Sequence, residues 1–297
     1  MKIILRSFNQ VISDLGKHFE TTTDIFQAER VVLWNDVMPT EKSIIEFAHS
    51  LKRPVIVVQH GRHGTSRYYP PFNEPILADK LCVWGERDKK VLVDNNHPAQ
   101  KIEVCGTPIF SYLKPRIKHE GINIVFYPEH WDREVSENKA VAKELRKLRW
   151  KNKNIKIITK IIDGHNPDDY DNPVSSVRTA NNHLDICVDV LTKADVVVGI
   201  EEGTFGLLAQ AMDIPVVIME EWSPKAIGGD ERYKTYWRRI SEGSKRAILK
   251  NLNETILRQL ENPDELKEER KIACIQDGGI DIENPIEKIV NVIINTK

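Results

Sequence analysis

Four short segments combine residue types that handle protons and phosphates. The first, Gln59-His60-Gly61-Arg62-His63-Gly64-Thr65, closes the apolar run Val55–Gln59. Gly61 and Gly64 permit close backbone approach and positive φ. Two imidazoles and a guanidinium there supply donors for phosphate or for proton transfer. The second, Tyr127-Pro128-Glu129-His130-Trp131-Asp132, sets a carboxylate beside an imidazole directly after another apolar run. The third joins Lys160 to Asp163-Gly164-His165-Asn166-Pro167, where an ammonium and an imidazole suit a diphosphate bridge without metal. In the fourth, ADVVVGIEEGTFGLLAQAMDIPVV (Ala194–Val217), Glu201, Glu202, Gly203 and Thr204 stand between an apolar run and a helical pattern. Free amides at that helix start, aided by the Thr204 hydroxyl, would form an anion site. Two carboxylates aimed at the same place would repel phosphate, so the reading turns one of them toward ribose or sugar hydroxyls. Each segment alone also has a structural reading as a turn or helix start. Their shared position after strand-like runs is what points to function.

Spacing excludes several common chemistries. His60 and His63 stand three apart, but no second compact ligand pair accompanies them and H-E-x-x-H is absent, so no metal site is expected. G-x-x-x-x-G-K-[ST], G-x-G-x-x-G and G-x-S-x-G are also missing, which argues against a P-loop NTPase, an ordinary nicotinamide enzyme and a hydrolase elbow. Cys82, Cys105, Cys187 and Cys274 form no C-x-x-C pair. Three of them sit in apolar runs, where cysteine behaves as a small buried hydrophobe. Four reduced thiols imply a cytoplasmic protein.

The segments need a scaffold, and the sequence alternates short β-branched runs with longer amphipathic ones, the pattern of parallel α/β sheets. Strands are expected at Met1–Leu5, Arg30–Trp34, Val55–Gln59, Leu81–Trp84 and Ile102–Cys105, with helices at Glu41–Leu51 (Thr40 as N-cap) and Glu86–Asn95. Runs such as VIVV lack alternation, as expected when helices cover both faces. Lys114–Gly121 reads as a linker. A second series follows: strand Ile122–Tyr127, helix Glu134–Arg149, strand Ile155–Ile162, helix Leu184–Lys193, strand Val196–Ile200, helix Thr204–Met212 and strand Pro215–Met219. The last third reads as helical over Glu242–Leu260, Pro263–Ala273 and Pro285–Ile294. The expected organisation is α/β, with two Rossmann-like domains facing across a cleft. Residues 1–114 would form an acceptor-side domain, 115–121 a linker and 122–283 a nucleotide-donor domain. The helix in 284–297 would pack back on the first domain. In such sheets ligands gather beyond the carboxyl ends of strands, where the four segments lie.

The 297 residues carry 43 basic and 44 acidic side chains, a formal net charge of -1, which argues against a dedicated nucleic-acid binder. Local basic stretches exist at Lys139–Lys156 and, interleaved with Tyr233, Tyr236 and Trp237, at Arg232–Arg258. Either could meet anionic lipid, a polyanionic acceptor or nucleic acid, or simply form a solvated helix face. MKIILRSFNQ is too short in apolar residues for a signal peptide, and no apolar run nears the ~20 residues that span a bilayer.

In order, these motifs resemble a known series. The chain from Gln59-His60-Gly61 through Ala78-Asp79-Lys80-Leu81-Cys82-Val83-Trp84-Gly85 to Cys105-Gly106-Thr107-Pro108 is similar to GT-B glycosyltransferases of surface-polysaccharide synthesis. CDP-glycerol glycerophosphotransferases and the UDP-N-acetylglucosamine 2-epimerase clan share the outline. Tyr127-Pro128-Glu129-His130, Lys160 to His165, and Ala194-Asp195 to Val217 continue the likeness. It departs where four residues, Ile161-Ile162-Asp163-Gly164, separate Lys160 from His165, and where Gln210 replaces the usual donor-helix glutamate. The resemblance implies a metal-independent glycosyltransferase, without cofactor, moving a sugar from a nucleotide-activated donor to a glycan, lipid or other acceptor. Glycerophosphate transfer, sugar-nucleotide epimerisation and a non-catalytic binding module are the alternatives. It implies His60 as acceptor-side base or oxyanion stabiliser, with Glu129 as a second candidate base. Donor binding would fall to Gly61, His130, Lys160, His165, Glu201, Glu202, Gly203 and Thr204. A peripheral contact with the inner membrane face is compatible with such a role.

Overall fold

The computed structural model describes residues 1–6, 14–35, 39–59, 61, 75–128, 135–162, 164–176, 182–200, 202–219 and 241–297. The first elements in chain order are β1 (Lys2–Arg6), β2 (Glu20–Thr21), β3 (Arg30–Leu33), α1 (Pro39–Ser50), β4 (Val55–Val58), β5 (Lys80–Val83), α2 (Glu86–Asp94) and β6 (Ile102–Val104). Then come β7 (Ile122–Tyr127), α3 (Val135–Lys151), β8 (Ile155–Ile162), β9 (Pro173–Ser176), α4 (His183–Leu191), β10 (Val196–Gly199) and α5 (Thr204–Ala211). The chain ends with β11 (Val216–Met219), β12 (Ser244–Ala247), α6 (Leu252–Glu261), α7 (Lys267–Ala273), a π-helical turn at Cys274–Gly278 and α8 (Pro285–Asn295).

The chain forms two compact units, Met1–Ile109 with Ile275–Lys297, and Phe110–Cys274. In the first, parallel strands run in the order β2-β1-β3-β4-β5-β6. Alternate residues supply its two faces. Val31, Leu33, Val55 and Val57 pack with Ile45 and Ala48 of α1 and Leu92 of α2. Val32, Ile56, Val58 and Cys82 pack with Ile289 and Ile293 of α8. Covering both faces is why the VIVV run carries no polar alternation. The π turn closes over the end of β5: a Cβ on Gly85 would overlap the Gln276 carbonyl, and the Thr107 amide donates to the Gly278 carbonyl at 2.8 Å.

The second unit has parallel strands in the order β12-β11-β10-β7-β8-β9. Ile124, Phe126, Ile157, Val196 and Val198 face α3 and α6 through Val141, Leu145, Leu148, Leu252 and Ile256. Val125, Ile158, Val197 and Val216 are buried on the opposite face, while α4 and α5 lie against β8, β10 and β11. Residues Lys114–Gly121 have neither helix nor strand and are tied to this unit. The Ile117 amide donates to the Thr192 carbonyl at 2.8 Å, and Lys114 pairs with Asp189 at 2.8 Å. Among the described residues all four cysteines are free and buried. No helix among them is long and apolar enough to cross a membrane.

Three differences from the sequence expectations have a physical cause. The pattern Glu242–Leu260 is not one helix: Ser244–Ala247 pairs parallel to β11, and helix begins only at Leu252. Strands β2 and β9 were likewise unexpected. All three are edge strands, short and part-exposed, so they lack the apolar run that marks a central strand. Thr40 lies inside the first turn of α1 rather than capping it, because the helix starts at Pro39, whose fixed φ suits that position.

One buried cation ties α5 to α7. Arg270, 1 % exposed, donates to Asp213 from Nε at 3.0 Å and to the Pro263 carbonyl at 2.9 Å, and Lys267 pairs with Asp213 at 3.2 Å. Burial would raise the Asp213 carboxyl, but hydrogen bonds from Arg270 and Lys267 outweigh it and hold the group below its ordinary value. Such a group stabilises fully above its unfolded pKa, and that contribution vanishes as pH falls through the depressed folded value. Asp213 is partly open to water, which keeps the effect modest. Asp213→Asn is therefore expected to cost about 1–2 kcal/mol at neutral pH and nothing in strong acid, measured by urea unfolding. A cost independent of pH would contradict the ion pair.

Candidate functional site

The strand order of the second unit reverses between β7 and β10, and ligands of open parallel sheets bind beyond the carboxyl ends of strands at that point. Register pairs Gly199, the last residue of β10, with Tyr127, the last of β7. Tyr127 shares the face of Val125, two residues earlier. Its ring lies across the Gly199 backbone, where any Cβ would overlap it, and its hydroxyl would lie 3.0 Å from a Cβ on Gly206 in α5. The Phe205 ring stands 5.0 Å away, tilted by 50°. Two glycines thus admit one phenol beneath the first turn of α5.

Above that ring the chain turns into α5 at Gly203, an N-cap with extended backbone (φ -71, ψ -165) and no side chain to occupy the helix's leading amides. A Cβ on Gly203 would meet no atom of the described residues within 4 Å. Thr204 opens the helix and is partly exposed. Beside it Glu202 is 5 % exposed, its carboxylate accepting from Gln210 Nε2 and from the Ser241 amide and hydroxyl. Gln210, 3 % exposed, also donates to Ser241 Oγ at 3.0 Å and Ser244 Oγ at 2.9 Å. This carboxylate fastens the start of the β12 segment to the α5 turn.

Lys160 belongs to a different cluster. On β8, two strand positions or about 10 Å from β10, it is 4 % exposed. Its ammonium donates to the Ile161 carbonyl at 2.7 Å and to Ser176 Oγ at 2.6 Å. Ser176 Oγ lies 2.7 Å from His183 Nδ1, and His183 Nε2 lies 3.7 Å from Cys187 Sγ. Burial pushes the Cys187 thiol up to about 11 against the opposing charge of Lys160, so it stays a protonated thiol at neutral pH. His165 accepts from the Ile162 amide through Nδ1 at 3.3 Å, with its ring edge-on to Tyr170 at 5.7 Å.

In the first unit, the segment carrying His60 leaves β4 through a fully bonded glutamine. Gln59, 1 % exposed, receives the Trp84 amide on Oε1 at 2.8 Å and donates from Nε2 to buried Asp88 at 2.8 Å and to the Gly61 carbonyl at 2.9 Å. Its own carbonyl accepts from Trp84 Nε1 at 3.0 Å. Gly61 is thereby fixed to the ends of β4 and β5 and to α2.

Of the residues expected in the site, the structure brings Glu202, Gly203 and Thr204 together on one turn. Lys160 and His165 sit on the β8 side and Gly61 in the first unit. His60, Glu129, His130 and Glu201 lie outside the described residues, as does Arg232–Ile240 of the second basic stretch. Sequence reasoning missed Gln59, Gln210 and the Tyr127–Gly199–Gly206 fit. A signal existed for the last: a strand-end glycine followed seven residues later by a helical glycine costs stability unless something large must pass close.

Gly199→Ala is expected to destabilise by about 1–3 kcal/mol through overlap with the Tyr127 ring. In a Tyr127→Ala background the same change should cost little. Urea unfolding of the four proteins of this cycle measures the coupling, and equal costs in both backgrounds would contradict the fit.

No protein-family model matches the sequence, and no curated protein sequence matches it. Solved structures do. The TagF wall teichoic acid polymerase soaked with CDPG superposes with a TM-score of 0.65 at 10% identity, covering 99% of this chain and 88% of that one. UDP-GlcNAc 2-epimerase from Neisseria meningitidis bound to UDP-GlcNAc gives 0.60 at 14% identity, covering 96% and 80%. The S. aureus MnaA–UDP structure gives 0.58 at 13% identity, covering 96% and 77%. At these identities the likeness concerns architecture, and the sequence expectation of a GT-B type fold stands: the chain has the two Rossmann-like α/β units of that fold, shared with the UDP-GlcNAc 2-epimerases and TagF.

Proposed function

We propose that the chain is a metal-independent transferase of GT-B type that takes a nucleotide-activated donor and passes its sugar to a glycan, lipid or other acceptor. The observation that carries the reading is the Gly203 turn at the β7/β10 reversal, where a residue without a side chain caps α5 and no described atom lies within 4 Å of its Cβ position. Developing negative charge on a leaving diphosphate is stabilised by pre-oriented donors such as the amides opening a helix, without a bound cation. Nucleotide-bound relatives of the same architecture, with UDP-GlcNAc, UDP or CDPG in their structures, support a nucleotide donor. In this reading Gly203 and Thr204 hold the donor phosphates, His130 and His165 offer them ring N–H donors, and Gly61 lies beside the bound donor. His60 serves the acceptor hydroxyl as base or oxyanion stabiliser, with Glu129 as the second candidate base.

Lys160 and Glu202 take indirect parts. The Lys160 ammonium reaches the donor only through the electrostatic field, its hydrogen bonds being directed to Ser176 and Ile161. The Glu202 carboxylate orients the turn through Gln210 and Ser241, leaving ribose or sugar hydroxyls to Glu201.

Glycerophosphate transfer is a second reading, favoured by the superposition on TagF. Epimerisation calls for several carboxylates working as acid and base in one pocket. Of the three expected in the site, Glu202 is buried and bonded to Gln210 and Ser241, which favours transfer.

Incubation with a panel of nucleotide-activated sugars and of CDP-glycerol, with and without acceptor extracts, separates these readings. Acceptor-dependent release of nucleoside diphosphate supports sugar transfer, and release of monophosphate supports glycerophosphate transfer. A rearranged donor without transfer product supports epimerisation, and binding without turnover supports a non-catalytic module. His60→Ala is expected to lower turnover at least about 100-fold with the fold intact. Wild-type turnover in that variant would reject the assignment of His60.

A further inference from the structure

The first basic stretch divides into two faces once it is wound on α3. On one flank the cations are answered: Lys139 pairs with Asp169 at 3.3 Å, and Arg146 and Arg149 both reach Asp171, at 2.7 and 2.6 Å. On the solvent ridge most are not. Lys143, Lys147, Trp150 and Lys151 follow at i, i+4, i+7 and i+8, one line along the helix. Lys147 is bonded to Glu144 at 2.6 Å, but Lys143, Lys151 and Lys153 have no carboxylate partner among the described residues. At the end of this ridge Trp150 is 79 % exposed, the most exposed large hydrophobic side chain among the described residues, with Lys153 over its ring at 6.0 Å.

An indole left in water, beside lysines with no carboxylate partner among the described residues, forgoes the apolar contact its large ring offers. Indole and ammonium groups share one favourable environment, the headgroup layer of a bilayer, where the ring enters the acyl boundary and the lysines meet anionic phosphates. The ridge is convex and bears one aromatic ring. It therefore lacks the groove and successive stacking platforms that single-stranded nucleic acid requires. We infer that the C-terminal ridge of α3, Lys143 to Lys151 with Trp150 at its tip and Lys153 in the turn that follows, is a docking surface for a bilayer containing anionic lipid.

The position of this ridge in its unit decides what docking would do. The turn after α3 lies at the amino ends of the strands: the Ile122 amide of β7 donates to the Asn154 carbonyl at 2.9 Å. The Gly203 turn lies at the carboxyl ends. A membrane held at Trp150 therefore leaves the carboxyl edge uncovered, and docking localises the protein without closing that edge. The inference is independent of the reaction proposed above.

The test mixes the protein with vesicles of phosphatidylcholine alone, or of phosphatidylcholine with phosphatidylglycerol, and reads co-sedimentation and the tryptophan emission maximum. Uptake by the anionic vesicles only, with a blue-shifted emission and release as salt rises, is expected. Trp150→Ala should lose most of the uptake, and Lys151→Ala with Lys153→Ala should weaken it by roughly tenfold or more. Both changes are at exposed positions, and unchanged thermal melting confirms that the fold is kept. Absence of uptake, or uptake unaffected in both variants, would overturn the inference. So would Trp150-dependent self-association in sedimentation velocity, or retention on duplex DNA without uptake by vesicles.

Discussion

The second unit is organised around a close contact between a ring and a backbone. Tyr127 ends β7 at the point where the strand order reverses, and its phenol occupies the space over Gly199 that any other residue would fill with its own Cβ. Gly206 makes the matching concession on α5. The helix therefore starts close above the strand ends, with Gly203 at its N-cap. A bulkier residue at 199 or 206 would push the helix away. The turn would then lose its angle to the strand ends.

Around that contact, buried polar groups fix three neighbouring pieces of chain. Glu202 and Gln210 bind Ser241 and Ser244, joining the β12 segment to the α5 turn. Lys160 joins β8 to β9 and, through Ser176, to α4. In the first unit Gln59 joins β4, β5 and α2. Each is a polar side chain whose hydrogen-bonding groups are engaged by specific partners, the condition under which burial is tolerated. None is a surface charge recruited from solvent. The carboxyl edges of both sheets are consequently held by directional bonds, while the sheet faces are held by apolar packing.

Much of this was legible in the sequence, and the failures have a common origin. The strands buried on both faces announced themselves as apolar runs, as did β6, an edge strand with the apolar ends Ile102 and Val104. The helices between them kept their spacing. The edge strands β2, β9 and β12 did not, since ET, PVSS and SKRA owe their strand state to a neighbour rather than to their own composition. In the site, the Gly203–Thr204 turn was legible because a strand, acidic residues, glycine and a helix follow in order. The direction of the Lys160 and Glu202 side chains was not. Whether a charged group near a strand end faces a ligand or a buried partner depends on which residues the register sets beside it, and Ser176 and Ser241 are distant in sequence. The basic stretch on α3 was visible as a count of charges. Only the helix geometry separated its paired flank from the ridge that ends at Trp150.

The most direct measurement of the central claim is amide hydrogen exchange with and without a saturating nucleoside diphosphate. If the anionic end of a nucleotide rests on the turn above Tyr127, exchange should slow at the Gly203, Thr204 and Phe205 amides and little in β8 or β9. Protection confined to the Lys160–Ser176–His183 cluster, or no protection at the α5 start, would contradict the account.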